Sequence, residues 1–294
     1  MKIAVIGAGK WGSALAHALM EKNEVVISSL HKRDLPNFVS LKEAFSYEYL
    51  VMAIPTQFVR DFMSKNFLDN NQKLLIAAKG VEIGSGKFLN EIYSDFVPNS
   101  RLAFLSGPSF AKEVMASLPT ALVISSTNLD LAKTFANAMP SFIKAYTDSD
   151  VVGAEVAGAY KNIIAIAAGV CDGLELGNNA RAALIARGLV EMSRFGEFFG
   201  AKKDTFLSLG GAGDLFLTAS SNLSRNYRVG FGLAKGKSLQ EVLDELGEVA
   251  EGVPTTKAVM QIATKKDIYL PIAKEVSLLL NGKKPEDSLK DLLS

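Results

Sequence analysis

The fold is decided by Lys2-Ile-Ala-Val-Ile-Gly7-Ala-Gly9-Lys10-Trp11-Gly12, which runs on into Ser13-Ala-Leu-Ala-His17-Ala-Leu-Met20. A short apolar strand enters a Gly-x-Gly-x-x-Gly turn, and an alanine-rich helix leaves it. Each glycine has a mechanical reason. Gly7 permits the sharp turn out of the strand. Gly9 lets the backbone approach a pyrophosphate with no Cβ in the way. Gly12 lets the helix pack close to the sheet, and the helix N-terminus offers free N–H groups to an anion. The motif alone would fit any glycine-rich turn. With a strand before it and a helix after it, it reads as a dinucleotide-binding turn.

Outward from this turn the first half alternates. Apolar strands are expected at 2–6, 24–30, 49–54, 73–78, 102–106, 120–126 and 142–147, with amphipathic helices between most of them. One helix is expected over 56–66 with Phe58, Val59, Phe62 and Met63 on its apolar face. Fully apolar strands separated by helices predict a parallel sheet covered on both sides, with the ligand crevice at the carboxyl ends of the strands. Past residue 148 the strand pattern stops. Helical periods are expected at 150–171, 179–199, 225–235, 238–246, 254–265 and 271–281. The expected fold class is therefore α/β: a Rossmann-like, mostly parallel sheet domain over 1–148, then an all-α-helical domain over 149–294.

The chain has 294 residues, a net charge of +1, and charged residues at 21%. That balance argues against nucleic acid or an anionic membrane as the main partner, so any phosphate site must be local. The lone cysteine, Cys171, lies in an apolar helical stretch and reads as a buried, inert thiol compatible with a reducing compartment. Two histidines, His17 and His31, and no Cys-x-x-Cys leave no expected metal site. The N-terminal apolar stretch, broken by glycines and without a cleavage site, does not read as a signal peptide. The most apolar later stretch, 156–170, holds Lys161 and falls short of the ~20 residues a membrane span needs. A cytoplasmic location is expected.

The tip of the second strand speaks to the choice of dinucleotide. An acidic residue there would bind the adenosine ribose and repel a 2′-phosphate. Here His31, Lys32 and Arg33 stand instead, which favours a 2′-phosphate, though a solvated basic loop would look the same. Asp34 follows, so use of both NADP and NAD is expected.

In the second half, Gly158, Asn162, Ala165 and Gly169 share one helical face and permit close approach of another helix or of the cofactor domain. Lys161 stands beside that stripe in an apolar segment. A buried lysine is costly unless paired or functional, and desolvation suits lysine to acid–base work near neutral pH. A lysine snorkelling at a helix surface fits equally well. Asp214 and Thr218 lie one helical turn apart after the glycine loop Gly210-Gly-Ala-Gly213, where Asp214 could equally be an N-cap. Ser224-Arg225-Asn226 opens another helix with the donors a phosphate monoester needs, or else is a serine cap with surface arginines.

Over nearly its whole length the chain resembles the bacterial NAD(P)-dependent glycerol-3-phosphate dehydrogenases. The resemblance rests on Gly7-Ala-Gly-Lys-Trp-Gly12, Ala78-Lys79-Gly80, Ser106-Gly-Pro-Ser-Phe-Ala111, Gly158-Ala-Tyr-Lys161-Asn162, Gly210-Gly-Ala-Gly-Asp-Leu215, Leu223-Ser-Arg-Asn226 and Glu248-Val-Ala-Glu251-Gly252, in that order. It implies reversible reduction of dihydroxyacetone phosphate to sn-glycerol 3-phosphate, a supply of glycerophospholipid precursor. It also implies roles. Lys161 matches the catalytic lysine; Lys79 matches a lysine near both nicotinamide and substrate. Gly107 and Ser109 match a substrate-contacting loop. Asn162, Asp214 and Thr218 match residues that organise the substrate hydroxyls and the catalytic lysine. Ser224, Arg225 and Asn226 match the substrate phosphate site, with Arg225 also near the cofactor. Lys10, Trp11, His31, Lys32, Ala111, Val249 and Glu251 match cofactor-lining positions. The stretch 31–48 is shorter than the family's usual version.

Two other readings stay open on the residues themselves: a two-domain reductase of a β-hydroxy acid such as ketopantoate, and a non-catalytic NADPH-binding sensor. A homodimer is expected; the apolar face of 179–199 would serve as core or as its interface.

Overall fold

The computed structural model describes residues 1–293, which fall into two compact units: Met1–Lys79 with Leu89–Glu155, and Gly80–Phe88 with Val156 onward.

The first unit runs β1 (Lys2–Ile6), α1 (Lys10–Leu19), β2 (Glu24–Ser28), α2 (Leu41–Ala44), β3 (Tyr49–Met52), α3 (Thr56–Asn66), β4 (Lys73–Ile76), α4 (Leu89–Tyr93), β5 (Leu102–Ser106), α5 (Ala111–Met115), β6 (Thr120–Ser125), α6 (Leu129–Ala138) and β7 (Ile143–Asp148). One seven-stranded sheet has the order β2-β1-β3-β4-β5-β6-β7. Strand order runs outward from β1 both ways, to β2 on one side and to β3 on the other, so the switch point lies between β1 and β3, at the strand that leads into the glycine turn.

Alternation along the strands divides the core in two. Ile3, Val5, Val51 and Leu75 pack with Leu15 and Leu19 of α1 and Phe135 of α6. Ala4, Ile6, Met52 and Ile76 face the other way, onto Val59, Phe62 and Met63 of α3 and Ile92 and Tyr93 of α4. This two-sided burial is why the strands read as continuous apolar runs.

The sheet is mostly parallel, as expected, with one reversal: β6 runs antiparallel to β5, since the connection from 107 to 119 holds only the five-residue α5, which packs beside α1 instead of building a full crossover. Two expectations shift. Phe58 is 60% exposed, at the margin of an apolar stripe formed by Thr56, Val59, Phe62 and Met63. β2 ends at Ser28, and the chain returns along its free edge, where Ile27 N–H donates to Asn37 O (3.0 Å) and Val39 N–H to Ile27 O (2.9 Å). This return covers an otherwise open strand edge and displays residues 31–34 on an exposed loop.

α7 (Val151–Gly173) begins in the first unit and continues into the second. The second unit continues with α8 (Gly177–Phe198), α9 (Asp214–Ala219), α10 (Arg225–Ala234), α11 (Leu239–Leu246), α12 (Gly252–Lys266), α13 (Pro271–Leu280) and α14 (Pro285–Leu293).

The division between units differs from 148/149 for a physical reason. Val151 packs into the sheet's core, and both carboxylate oxygens of Glu155 accept the Asn90 N–H that opens α4 (3.0 and 3.1 Å). The first turn of α7 therefore belongs with the sheet. Residues 80–88 belong with the helices because Phe88 joins an aromatic cluster with Phe195 and Phe199, at ring-centroid distances of 6.4 and 5.3 Å.

α7 falls within two residues of the expected bounds 150–171. At 23 residues it is long and apolar enough to cross a membrane, yet 89% of its apolar window is buried inside the structure, as in a core helix. Its small residues admit another helix. A Cβ on Gly169 would lie 2.0 Å from Tyr227 O, and one on Gly230 would lie 1.8 Å from Ile166 O, so α7 and α10 cross almost backbone to backbone.

Candidate functional site

The glycine turn of the first unit fits a pyrophosphate. Gly7 has φ +113°, and a Cβ there would sit 2.4 Å from Ala53 O at the end of β3. A Cβ on Gly12 would sit 1.8 Å from Gly7 O, so the start of α1 lies against the turn itself. At Gly9 an added Cβ meets nothing within 4 Å. Two glycines are thus held by the protein's own backbone, while the third faces open space. α1 has no side-chain N-cap and no acidic residue in its first turn, so its N-terminal amides are available to an anion.

Lys10 is exposed at that end. Trp11 is half-buried and its indole N–H donates to Ala77 O at 3.0 Å, bracing the turn against the end of β4. Trp11 thus commits its polar atom to the protein, leaving only its ring for a ligand. Farther along the same unit, Lys79 is half-buried, and its carbonyl accepts the Thr56 hydroxyl at 3.1 Å. Gly107 has φ +108°, and Ser109 Oγ donates to its carbonyl at 3.1 Å just before Ala111 starts α5. His31, Lys32 and Arg33 are all exposed.

The second unit brings together residues far apart in sequence. Lys161, on α7, is 8% exposed and does not snorkel. Its ammonium donates to Asp214 Oδ1 in a short ion pair and to Thr218 Oγ1 at 3.0 Å. The Thr218 hydroxyl donates in turn to the Asp214 carbonyl at 2.6 Å. Asp214 is therefore not an N-cap. Residues Leu209–Gly213 form a π-helical turn that delivers Asp214, a buried residue, as the first residue of α9. Gly211 makes that turn possible, since a Cβ there would lie 2.4 Å from Phe206 O. Single π-helical turns of this kind often mark functional sites. A buried lysine with a carboxylate partner avoids the cost of an uncompensated charge and stays fixed in direction.

Asn162, next to Lys161, and Asn226 form a second group. Gly252 N–H donates to Asn226 Oδ1 (2.8 Å), Asn226 Nδ2 to Asn162 Oδ1 (2.8 Å), and Asn162 Nδ2 to Gly158 O (3.3 Å). Ser224 caps α10, its Oγ accepting Tyr227 N–H at 3.2 Å, so the serine-cap reading holds for its oxygen. Arg225 is half-exposed and meets Glu248 at 3.4 Å. Val249 is 47% exposed. Burial lifts the Glu251 carboxyl from 4.5 to about 7, with nearby Arg225 pulling the other way, and its Oε2 is buried with no hydrogen-bond partner among the described residues. Cys171 is a buried free thiol that burial pushes up. Among the described residues no cluster of three His, Cys, Asp or Glu side chains is arranged for a metal.

Sequence reading missed Gly252, Thr56 and Ala77. Gly252 and Ala77 act through their backbones and Thr56 through its hydroxyl on the Lys79 carbonyl; only Gly252, beside Glu251 in a matched motif, left a signal.

A doubly wound sheet with an open glycine turn, together with a helical unit that buries a lysine–carboxylate pair, defines a dinucleotide-dependent dehydrogenase. Residues 29–132 match the N-terminal domain, and residues 150–290 the C-terminal domain, of NAD-dependent glycerol-3-phosphate dehydrogenase. The chain belongs to this family. It is 63% identical over 293 residues to a glycerol-3-phosphate dehydrogenase [NAD(P)+] of Sulfurimonas denitrificans, covering 100% of this chain and 99% of that one. It is 60% identical to the protein of the same name from Campylobacter lari, covering 100% and 98%. The crystal structure of glycerol-3-phosphate dehydrogenase from Coxiella burnetii superposes with a TM-score of 0.91 at 33% identity, covering 100% and 98%.

Proposed function

We propose that this chain reversibly reduces dihydroxyacetone phosphate to sn-glycerol 3-phosphate with NADPH or NADH, and that Lys161 carries the proton. The carrying observation is the buried Lys161–Asp214–Thr218 group. A carbonyl reduction needs a proton donor at the carbonyl oxygen, and the two histidines of the chain both lie in the first unit.

The bound dinucleotide supplies a hydride to the carbonyl carbon. The Lys161 ammonium gives its proton to the carbonyl oxygen as charge develops there, which leaves an alcohol and a neutral amine that solvent reprotonates. In the oxidative direction the neutral amine takes the proton back. Asp214 and Thr218 hold Nζ in place, so its orientation costs little when substrate arrives. Lys79 would support the same reacting end, with Gly107 and Ser109 contacting substrate from their loop. Arg225, the open amides at the start of α10 and the Asn226 amide are the chain's candidates for the phosphate, and that anchoring fixes the carbonyl. Gly7, Gly9, Lys10, Trp11, Gly12, Ala111, Val249 and Glu251 would line the dinucleotide, and His31, Lys32 and Arg33 its 2′-phosphate. A cytoplasmic homodimer that feeds glycerophospholipid synthesis accords with this reading.

The test follows NADPH absorbance on adding dihydroxyacetone phosphate, ketopantoate or neither. Turnover with dihydroxyacetone phosphate is expected. Arg225→Ala should raise its KM about 10–100-fold, the effect of losing a charge-assisted hydrogen bond. Turnover only with ketopantoate, or none with either, would overturn the reading; an unchanged KM in Arg225→Ala would remove Arg225 from the phosphate site.

A further inference from the structure

The two asparagines in the second unit share a single polarity. Gly252 N–H can only donate, so Asn226 must turn its oxygen toward Gly252 and its Nδ2 toward Asn162. Asn162 must then turn its oxygen toward Asn226 and its Nδ2 toward the Gly158 carbonyl, which can only accept. Gly252, Asn226 and Asn162 are all buried, so solvent competes little for these bonds. One backbone N–H thus decides which end of each amide faces which way. Each Nδ2 carries a second hydrogen, and the relay leaves the pair with N–H groups to present.

Position 252 also sets the spacing. A Cβ there would lie 2.7 Å from Asn226 Oδ1, 2.9 Å from Asn162 O and 2.9 Å from Ile166 Cδ1. A side chain would push Asn226 off its hydrogen bond, and α12 could not start where it does. The φ at Gly252 is not left-handed, so close approach, and not backbone freedom, is what requires glycine.

We propose that Gly252 is a positioning residue for the reaction: its N–H and its missing side chain lock Asn226 and Asn162 with their N–H groups turned to the substrate's anionic and carbonyl oxygens. The proposal rests on the reading of Arg225 and Asn226 as the phosphate site. Phosphate oxygens only accept, so an amide turned the other way would oppose them with its own oxygen.

Gly252→Ala and Gly252→Pro separate the two contributions. Both add a Cβ, but only proline removes the N–H; Glu251 before it is helical (φ −58°, ψ −23°), a conformation a following proline disfavours, so Tm is read beside KM. KM and kcat for dihydroxyacetone phosphate are measured beside the NADPH Kd and Tm. Gly252→Ala is expected to raise KM about tenfold, and Gly252→Pro by a further factor of about ten, as for a lost hydrogen bond to a charged group. kcat should change less, and NADPH Kd should stay within about twofold. Equal KM in the two variants, or NADPH affinity falling in step with KM, would overturn the role. If Gly252→Pro does not fold, hydrogen exchange at the Gly252 amide of the wild-type chain decides. Protection equal to that of core helix amides is expected, and solvent-like exchange overturns the relay. Arg225→Ala is run beside them. An unchanged KM there fails the phosphate reading itself; a raised KM there with an unchanged KM in both Gly252 variants fails this proposal alone.

Discussion

At Glu251 one carboxylate oxygen is buried without a hydrogen-bond partner among the described residues, and burial raises the carboxyl from 4.5 to about 7 against the pull of Arg225. Between those pH values the folded chain holds a proton that the unfolded chain has released. The contribution to stability is therefore full below about pH 4.5, is lost as pH rises through about 7, and is flat above. Burial also raises Glu155 and Glu191, which shift the wild-type curve the same way. The difference between wild type and Glu251→Gln isolates Glu251. Urea unfolding of the dinucleotide-free protein should show the variant gaining on the order of 1–3 kcal/mol relative to wild type between pH 4.5 and 8. A difference that does not change with pH would contradict this account. The same scale shows what a sequence cannot convey. Lys161 could be marked as either snorkelling or functional, because its partner Asp214 stands 53 residues away. Local pattern carries no information about such a pairing; the fold alone brings the two together.

At the scale of elements, the β1–turn–α1 unit separates two kinds of glycine. Gly12 is held by protein backbone, with 1.8 Å from its Cβ position to Gly7 O, whereas Gly9 meets nothing within 4 Å. Gly9→Ala should leave Tm within a degree or two, since surface changes away from contacts stay within about 0.5 kcal/mol, while NADPH Kd weakens at least about tenfold. Gly12→Ala should cost several kcal/mol and unfold or aggregate the protein. Scanning calorimetry and fluorescence titration of both variants check the pair; a Gly9→Ala protein that binds NADPH normally would break the link between open space and ligand. Elements were the most legible part of this chain. β1, β5 and α3 fall where apolar periodicity puts them, because burial on two sheet faces or one helix stripe imposes that pattern directly. What did not show was relational: the reversed β6, the return of 37–39 along β2, the first turn of α7 bound to the sheet core, and Phe88 among the aromatic rings of the helical unit. Each depends on a contact between segments whose local pattern is ordinary.

At the scale of the whole molecule, a net charge of +1 gives no broad field to gather anionic ligands. In the proposed function, selectivity for a 2′-phosphate would rest on the exposed His31, Lys32 and Arg33 loop. Replacing all three with alanine should weaken NADPH about tenfold and leave NADH within about twofold, by the weight of one or two charge-assisted contacts. The affinity for NADPH relative to NADH should fall as salt rises. NADH binding tenfold more tightly than NADPH in the wild type would contradict the assignment. The division of labour is otherwise plain. In the proposed function the glycine turn holds the dinucleotide and the helical unit supplies the proton, through a lysine the chain keeps buried. The kcat of Lys161→Ala with dihydroxyacetone phosphate, measured beside its NADPH Kd, bears on that most directly. The account predicts a loss of about 10²–10⁴-fold in kcat with Kd nearly unchanged; turnover close to that of the wild type would contradict it.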